Sequence, residues 1–131
     1  MNGDLPDGFV DPLVPEQVAA VLAAVREHLG LTGLLDLLTR VPGLTVDPGR
    51  SGGLLRAATA PWVSGGDDVV RFAKPVVRER VVGGVVLSRT PVPTATLPAT
   101  LATLVRETVR RDGAREDVSV ALTAARDAVS S

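Results

Sequence analysis

The fold of this chain depends on residues 64–90, SGGDDVVRFAKPVVRERVVGGVVLSRT, because the stretch is compatible with a helix and with a β-hairpin. In the helical interpretation, Ser64 and Asp67 form a capping box at the N-terminus. Valine, alanine and glycine then recur at a spacing of 3.6 residues, and Pro75 kinks the helix or restarts it. The stretch therefore fits one amphipathic helix.

In the alternative interpretation the same residues form a sheet. The pair Gly83-Gly84 is then a two-residue hairpin loop between the segments VVRERVV and VVLSRTPV. A half-buried strand needs one apolar face, but Arg78 and Arg80 would share one face while Glu79 would lie on the other. Helix is therefore the favoured prediction for residues 64–90, and a Val-rich hairpin around Gly83-Gly84 is the alternative.

The segments on both sides carry helical patterns. Residues 15–30 have a single apolar stripe, with proline at the first position and glycine at the last, and residues 98–113 repeat this arrangement. The main predicted helices span residues 15–30, 31–40, 64–90, 98–113 and 116–129, and residues 54–60 add a short one. The fold prediction is a single compact all-α domain of about five helices over residues 15–131, with Gly/Pro-rich connectors and an irregular lead over residues 1–14. An α+β domain with the Val-rich hairpin is the alternative.

The composition is sufficient for a hydrophobic core and lacks several residue types that catalysis commonly uses. The chain is 45% hydrophobic, almost all of it Val, Leu and Ala, which is enough aliphatic mass for a core at 131 residues. One His and no Cys exclude a thiol nucleophile, a cysteine zinc site and a paired-histidine metal site built from one chain. We therefore predict a protein that is not an enzyme and has no cofactor or metal.

Residue usage and the N-terminus suggest the source and the location. Thirteen Arg against one Lys, with no Ile, is typical of a GC-rich bacterial coding sequence. The opening MNGDLPDGF lacks the basic and apolar regions of a signal peptide. The longest uncharged apolar-leaning run, residues 90–105, contains three prolines and is shorter than the roughly 20 residues of a membrane span. A cytoplasmic protein without a membrane partner is predicted.

Residues 81–87 contain more aliphatic side chains than one face of a small domain buries. Such an excess favours an interface, so the predicted function is a non-enzymatic interaction or assembly module that self-associates as a homo-oligomer, in the simplest case a homodimer. The predicted interface residues are Val81, Val82, Val85, Val86 and Leu87, together with the single tryptophan, Trp62.

A weaker hypothesis concerns the loop Gly49-Arg50-Ser51-Gly52-Gly53, which matches the G-x-S-x-G pattern of serine hydrolases. In those enzymes the histidine follows the serine, whereas the only histidine here, His28, precedes Ser51. The same glycines, with Arg50, would also suit an anion-binding loop. A hydrolase or a phosphate-binding protein is therefore the least favoured function.

The remaining alternative is a small DNA-associated regulator. Residues 51–131 carry a net charge of +3, and Arg106, Arg110 and Arg111 of this part would contact phosphates. Interspersed carboxylates, such as Glu107 and Asp112, offset much of this charge. Nucleic acid is therefore an unfavoured partner.

Overall fold

A computed structural model describes residues 5–130, in which one long helix is followed by a five-stranded sheet and two further helices. Residues 5–14 are irregular, and the first four residues of the predicted lead over 1–14 lie outside the described residues. The elements are α1 (Pro15–Leu38), β1 (Thr45–Asp47), β2 (Trp62–Gly65), β3 (Asp68–Arg71), β4 (Val77–Val82), β5 (Val85–Pro91), α2 (Leu97–Asp112) and α3 (Arg115–Ser130). A 3-10 turn, Thr94–Thr96, leads into α2. The architecture is α+β.

The all-α prediction is wrong, because residues 64–90 form strands instead of a helix. Gly83 and Gly84 have φ values of 59° and 80° and close the β4–β5 hairpin. Two consecutive positive φ angles are what a type I′ hairpin turn requires and what glycine supplies without strain. Asp67, predicted as part of a helix cap, lies instead in the tight turn between β2 and β3.

The predicted short helix over residues 54–60 is also wrong. Residues 48–61, which we call the arm, form an extended excursion between β1 and β2. Arg50 and Thr59 exchange two backbone hydrogen bonds of 2.9 Å across the arm. Near its end, the Gly53 N–H donates to the Arg56 carbonyl. The arm is therefore a narrow loop whose two sides bond to each other.

The structure has helices in the segments before residue 41 and after residue 96 where the sequence pattern predicts them. Helices α2 and α3 occupy the segments predicted for them, and the two predicted N-terminal helices run together as α1. Gly30 breaks the helical geometry inside α1, with φ 70° and ψ −171°, where the boundary between the two was expected. Among residues 5–130, α1 is also the one helix with the length and composition of a membrane span, a test that core helices pass as well.

The five strands form an antiparallel meander in the order β1-β2-β3-β4-β5. Val63, Val70, Arg78 and Thr90 are paired across successive strands and therefore lie in one row on the same face. Along this row the side chains change from buried valine to exposed arginine and threonine. Helix α2 packs on β2, and α1 packs against both α2 and α3, so β4 and β5 extend beyond the helical layer.

Gly65 sets the closest approach between α2 and the sheet. A Cβ atom at this position would lie 2.8 Å from Leu44 Cδ2, 2.9 Å from Thr108 Oγ1 and 3.1 Å from Leu104 Cδ1. These distances are shorter than van der Waals contact, so a Cβ atom here forces the side chains of Leu44, Leu104 and Thr108 to shift. Their close packing against the sheet therefore depends on glycine at this position.

Gly65→Ala is therefore expected to lower the free energy of unfolding by about 1–3 kcal/mol through overpacking. Gly53→Ala in the arm is the matched control, because a Cβ there meets nothing within 4 Å. The control is expected to change stability by less than about 0.5 kcal/mol. Urea denaturation followed by circular dichroism measures both, and equal stabilities for the two variants would contradict this packing.

Candidate functional site

The β4–β5 hairpin ends in an exposed aliphatic surface. All seven residues of β5 are exposed, and β5 is an edge strand of the sheet. We call residues 82–87 the hairpin tip. Its exposed aliphatic side chains are Val82 (42% exposed), Val85 (59%), Val86 (46%) and Leu87 (61%). A cluster of this kind on an unpaired edge is typical of an interaction surface.

A bulge shapes this edge. Arg80 pairs with Ser88 and Val81 pairs with Val86, so Leu87 is the extra residue on β5. The Val92 N–H donates to the Val76 carbonyl next to the end of the ladder. Because the direction of backbone hydrogen bonds alternates along an antiparallel strand, the N–H and C=O of Arg89 then point away from β4. The edge thus offers backbone groups beside the exposed side chains.

The structure brings together most of the interface residues predicted from the sequence, but not all of them. Val82, Val85, Val86 and Leu87 lie together at the hairpin tip, and Val81 is half-buried beside them. Trp62 is half-buried in β2 and pairs with Arg71, at the opposite end of the strands. It therefore belongs to a different part of the molecule.

A buried carboxylate holds β4 to both of its neighbours. Glu79 is 1% exposed, and its two oxygens accept hydrogen bonds of 2.8 Å from Arg71 Nε and Arg89 Nε. The hydrogen bond from Arg71 is the main cause of a lowered pKa for Glu79, Arg89 adds to it, and burial opposes both. The carboxylate therefore stays ionised and ties β3, β4 and β5 together. This cluster has no signature in the sequence, because its residues become neighbours only once the strands are in register.

A polar groove of about 520 Å³ lies between α2 and the uncovered face of β4 and β5. Arg78 on its floor donates to Asp68 at 3.1 Å, whereas Arg80 makes no ion pair within residues 5–130. The charged residues that line it are Asp67, Asp68, Arg78, Arg80, Glu107 and Arg111. Their formal charges cancel, so the groove attracts neither anions nor cations strongly.

The basic residues predicted to contact phosphates are paired with carboxylates along α2. Glu107 lies 3.1 Å from Arg106 and 3.7 Å from Arg110. Arg111 lies 3.1 Å from Asp112, and hydrogen bonding to that carboxylate raises the pKa of Arg111. Neighbouring carboxylates on the same helix therefore offset most of the positive charge of these arginines, as expected for a solvated helix face.

The G-x-S-x-G pattern lies in the arm and not at a strand-to-helix turn. Ser51 is exposed, and the Arg50 guanidinium donates to the Ala57 carbonyl at 3.2 Å. Nδ1 of His28 lies 3.0 Å from the Ala24 carbonyl oxygen of its own helix. A nucleophile elbow needs a helix directly after the serine, which this part of the chain does not form. Within residues 5–130, no group of three or more His, Asp or Glu side chains is placed to hold a metal.

No protein family, curated protein or solved structure matches the chain. The interpretation of function therefore rests on the geometry and charge of these surfaces. Of the surfaces predicted from the sequence, the hairpin tip is the one whose exposure is unusual for its side chains.

Glu79→Gln is expected to lower the free energy of unfolding by about 1–3 kcal/mol at neutral pH, because a buried ionic hydrogen-bond network loses its charge. The folded-state pKa of Glu79 lies below its usual 4.5, so the stabilisation is present above that pH and is lost as the pH falls through the lowered folded pKa. The difference from wild type should therefore shrink on acidification.

Denaturant unfolding at several pH values measures this difference. Glu107→Gln is the control, since the Glu107 side chain is 51% exposed and its ion pairs contribute little to stability. A pH-independent difference between wild type and Glu79→Gln would show that the charge of Glu79 does not stabilise the sheet.

Proposed function

We propose that this protein is a non-enzymatic assembly module that forms a homodimer through β5 and the hairpin tip. The observation that carries the proposal is a seven-residue edge strand that is exposed throughout and ends in four exposed aliphatic side chains. No charged residue occurs between Arg80 and Arg89 to keep another strand away. Proteins usually protect such an edge with charge, with proline, with a bulge or with a covering element. On β5 the charge and the proline, Arg89 and Pro91, come only in its second half, and the bulge at Leu87 leaves the aliphatic side chains exposed.

A second copy of the same chain is the partner that fits best. An antiparallel strand pairs with its own copy about a two-fold axis, so β5 supplies both halves of the interface. Apolar surface removed from water contributes roughly 25 cal/mol per Å², and each copy brings Val85, Val86 and Leu87 on the pairing strand. Pairing thus reduces the exposure of these side chains and gives partners to the free backbone groups of β5.

The opposite edge of the sheet explains why the assembly stops at two copies. Strand β1 has only three residues, Thr45–Asp47, and the arm leaves the sheet directly after it. Short edge strands offer few backbone groups for pairing. With one usable edge per copy, the interface closes on itself and does not extend into a filament.

The double variant Val86→Lys/Leu87→Lys is expected to convert the dimer to a monomer, because it places four lysines at one interface. Sedimentation equilibrium over a range of concentrations measures the change. Val120→Lys is the matched control, since Val120 is 55% exposed on α3, and it should leave the dimer intact.

Circular dichroism of both variants verifies that they remain folded. A wild-type chain that stays monomeric at high concentration contradicts the proposal. So does a Val86→Lys/Leu87→Lys variant that dimerises as strongly as wild type.

A further inference from the structure

The end of the arm carries the most exposed apolar residues among residues 5–130. Leu54 is 101% exposed and Leu55 is 94% exposed, and every residue from 50 to 60 is exposed. The two leucines follow each other at the outer end of a narrow loop, so they protrude as a knob instead of forming part of a face. Two fully hydrated leucines are costly in water, and burial of both is strongly favourable.

The charge around this knob has one sign. Residues 48–66 contain Arg50 and Arg56 and no Asp or Glu. Arg50 donates to the Ala57 carbonyl, which is neutral, so its charge is not cancelled. Arg56 has no carboxylate partner within residues 5–130. The exposed part of the arm is therefore apolar at its end and cationic on its sides.

A third cation lies at the same end of the sheet. The loop of residues 72–76 joins the arm through the Phe72 N–H, which donates to the Pro61 carbonyl at 2.8 Å. This loop carries Lys74, which is exposed and makes no ion pair within the part of the chain that the structure describes. Residues 47–61 and 72–76 together contain three cationic residues, Arg50, Arg56 and Lys74, and one carboxylate, Asp47, at the base of the arm.

We infer that the arm docks on an anionic lipid bilayer, with Leu54 and Leu55 inserted at the interface and Arg50, Arg56 and Lys74 at the level of the headgroups. A bilayer accepts a protruding apolar knob of any shape, whereas a protein partner would need a pocket of matching form. Anionic lipids also attract cations beside the inserted residues. Such attachment needs no membrane-spanning segment, so it is compatible with the short uncharged runs of the sequence.

The inference is independent of the proposed dimer. The arm leaves the sheet between β1 and β2 at the Trp62 end of the strands, whereas the dimer surface lies on β5 and at the hairpin tip. A monomer would bind through one arm. A dimer would bring two arms to the same membrane and bind more tightly through the higher effective concentration of the second arm.

The first experiment is co-sedimentation of the full chain with vesicles of phosphatidylcholine alone and of phosphatidylcholine mixed with phosphatidylglycerol. Binding to the mixed vesicles, weakening as salt is added, is expected. Leu54→Ser/Leu55→Ser should lower the partition coefficient about 100-fold or more. Arg56→Ala/Lys74→Ala should lower it roughly 25-fold on anionic vesicles. Val120→Ser, which removes a 55% exposed aliphatic side chain from α3, should not change it.

A fluorescence measurement locates the contact. Because Trp62 is the only tryptophan, a Trp62→Phe background allows Leu55→Trp to report from the end of the arm. Its emission should shift to shorter wavelength on anionic vesicles, and Val120→Trp in the same background should not shift. Absence of binding to the mixed vesicles overturns the inference, as would be found if the arm recognised a protein instead. Binding that is unchanged in Leu54→Ser/Leu55→Ser overturns it as well.

Discussion

The two ion pairs that Glu79 makes with Arg71 and Arg89 hold the uncovered half of the sheet in place. Helix α2 packs on β2, and β4 and β5 extend beyond the helices without an apolar layer of their own. A buried carboxylate that bonds to both neighbouring strands ties β3, β4 and β5 together with ionic hydrogen bonds. The hairpin tip and the groove beside α2 exist because these two strands remain ordered beyond the helical layer.

The two proposed contact surfaces lie at opposite ends of the strands and on opposite edges of the sheet. The hairpin tip follows from the Gly83-Gly84 turn at one end, and the arm leaves β1 at the other. Neither surface uses a residue of the other, so association of two copies and attachment to a bilayer can occur together. The neutral groove between α2 and β4 lies apart from both and has no charge preference that indicates a ligand.

How far the sequence predicts this fold depends on how each segment is buried. Helices α2 and α3 were predicted correctly because each buries one regular stripe. Strand β4 was not predicted, because its apolar and polar residues do not alternate cleanly beyond the helical layer. Arg78 faces the groove, and the ionised Glu79 is paired with Arg71 and Arg89, which lie eight and ten positions away in the sequence. The aliphatic excess at Val85–Leu87 was visible from the sequence, since it needs no fold assignment. The arm was missed because Leu54 and Leu55 beside alanines have the composition of a helix.

Pairing of β5 with its own copy is the central claim, and a distance across the two-fold axis tests it most directly. The chain contains no cysteine, so Ser88→Cys places a single nitroxide label at the middle of β5. Paired strands lie about 5 Å apart, so two labels at this position should broaden each other's electron paramagnetic resonance spectrum. A label at Val120→Cys on α3 should give an unbroadened spectrum. A Ser88→Cys spectrum that matches that of fully diluted, monomeric protein at every concentration would contradict the account.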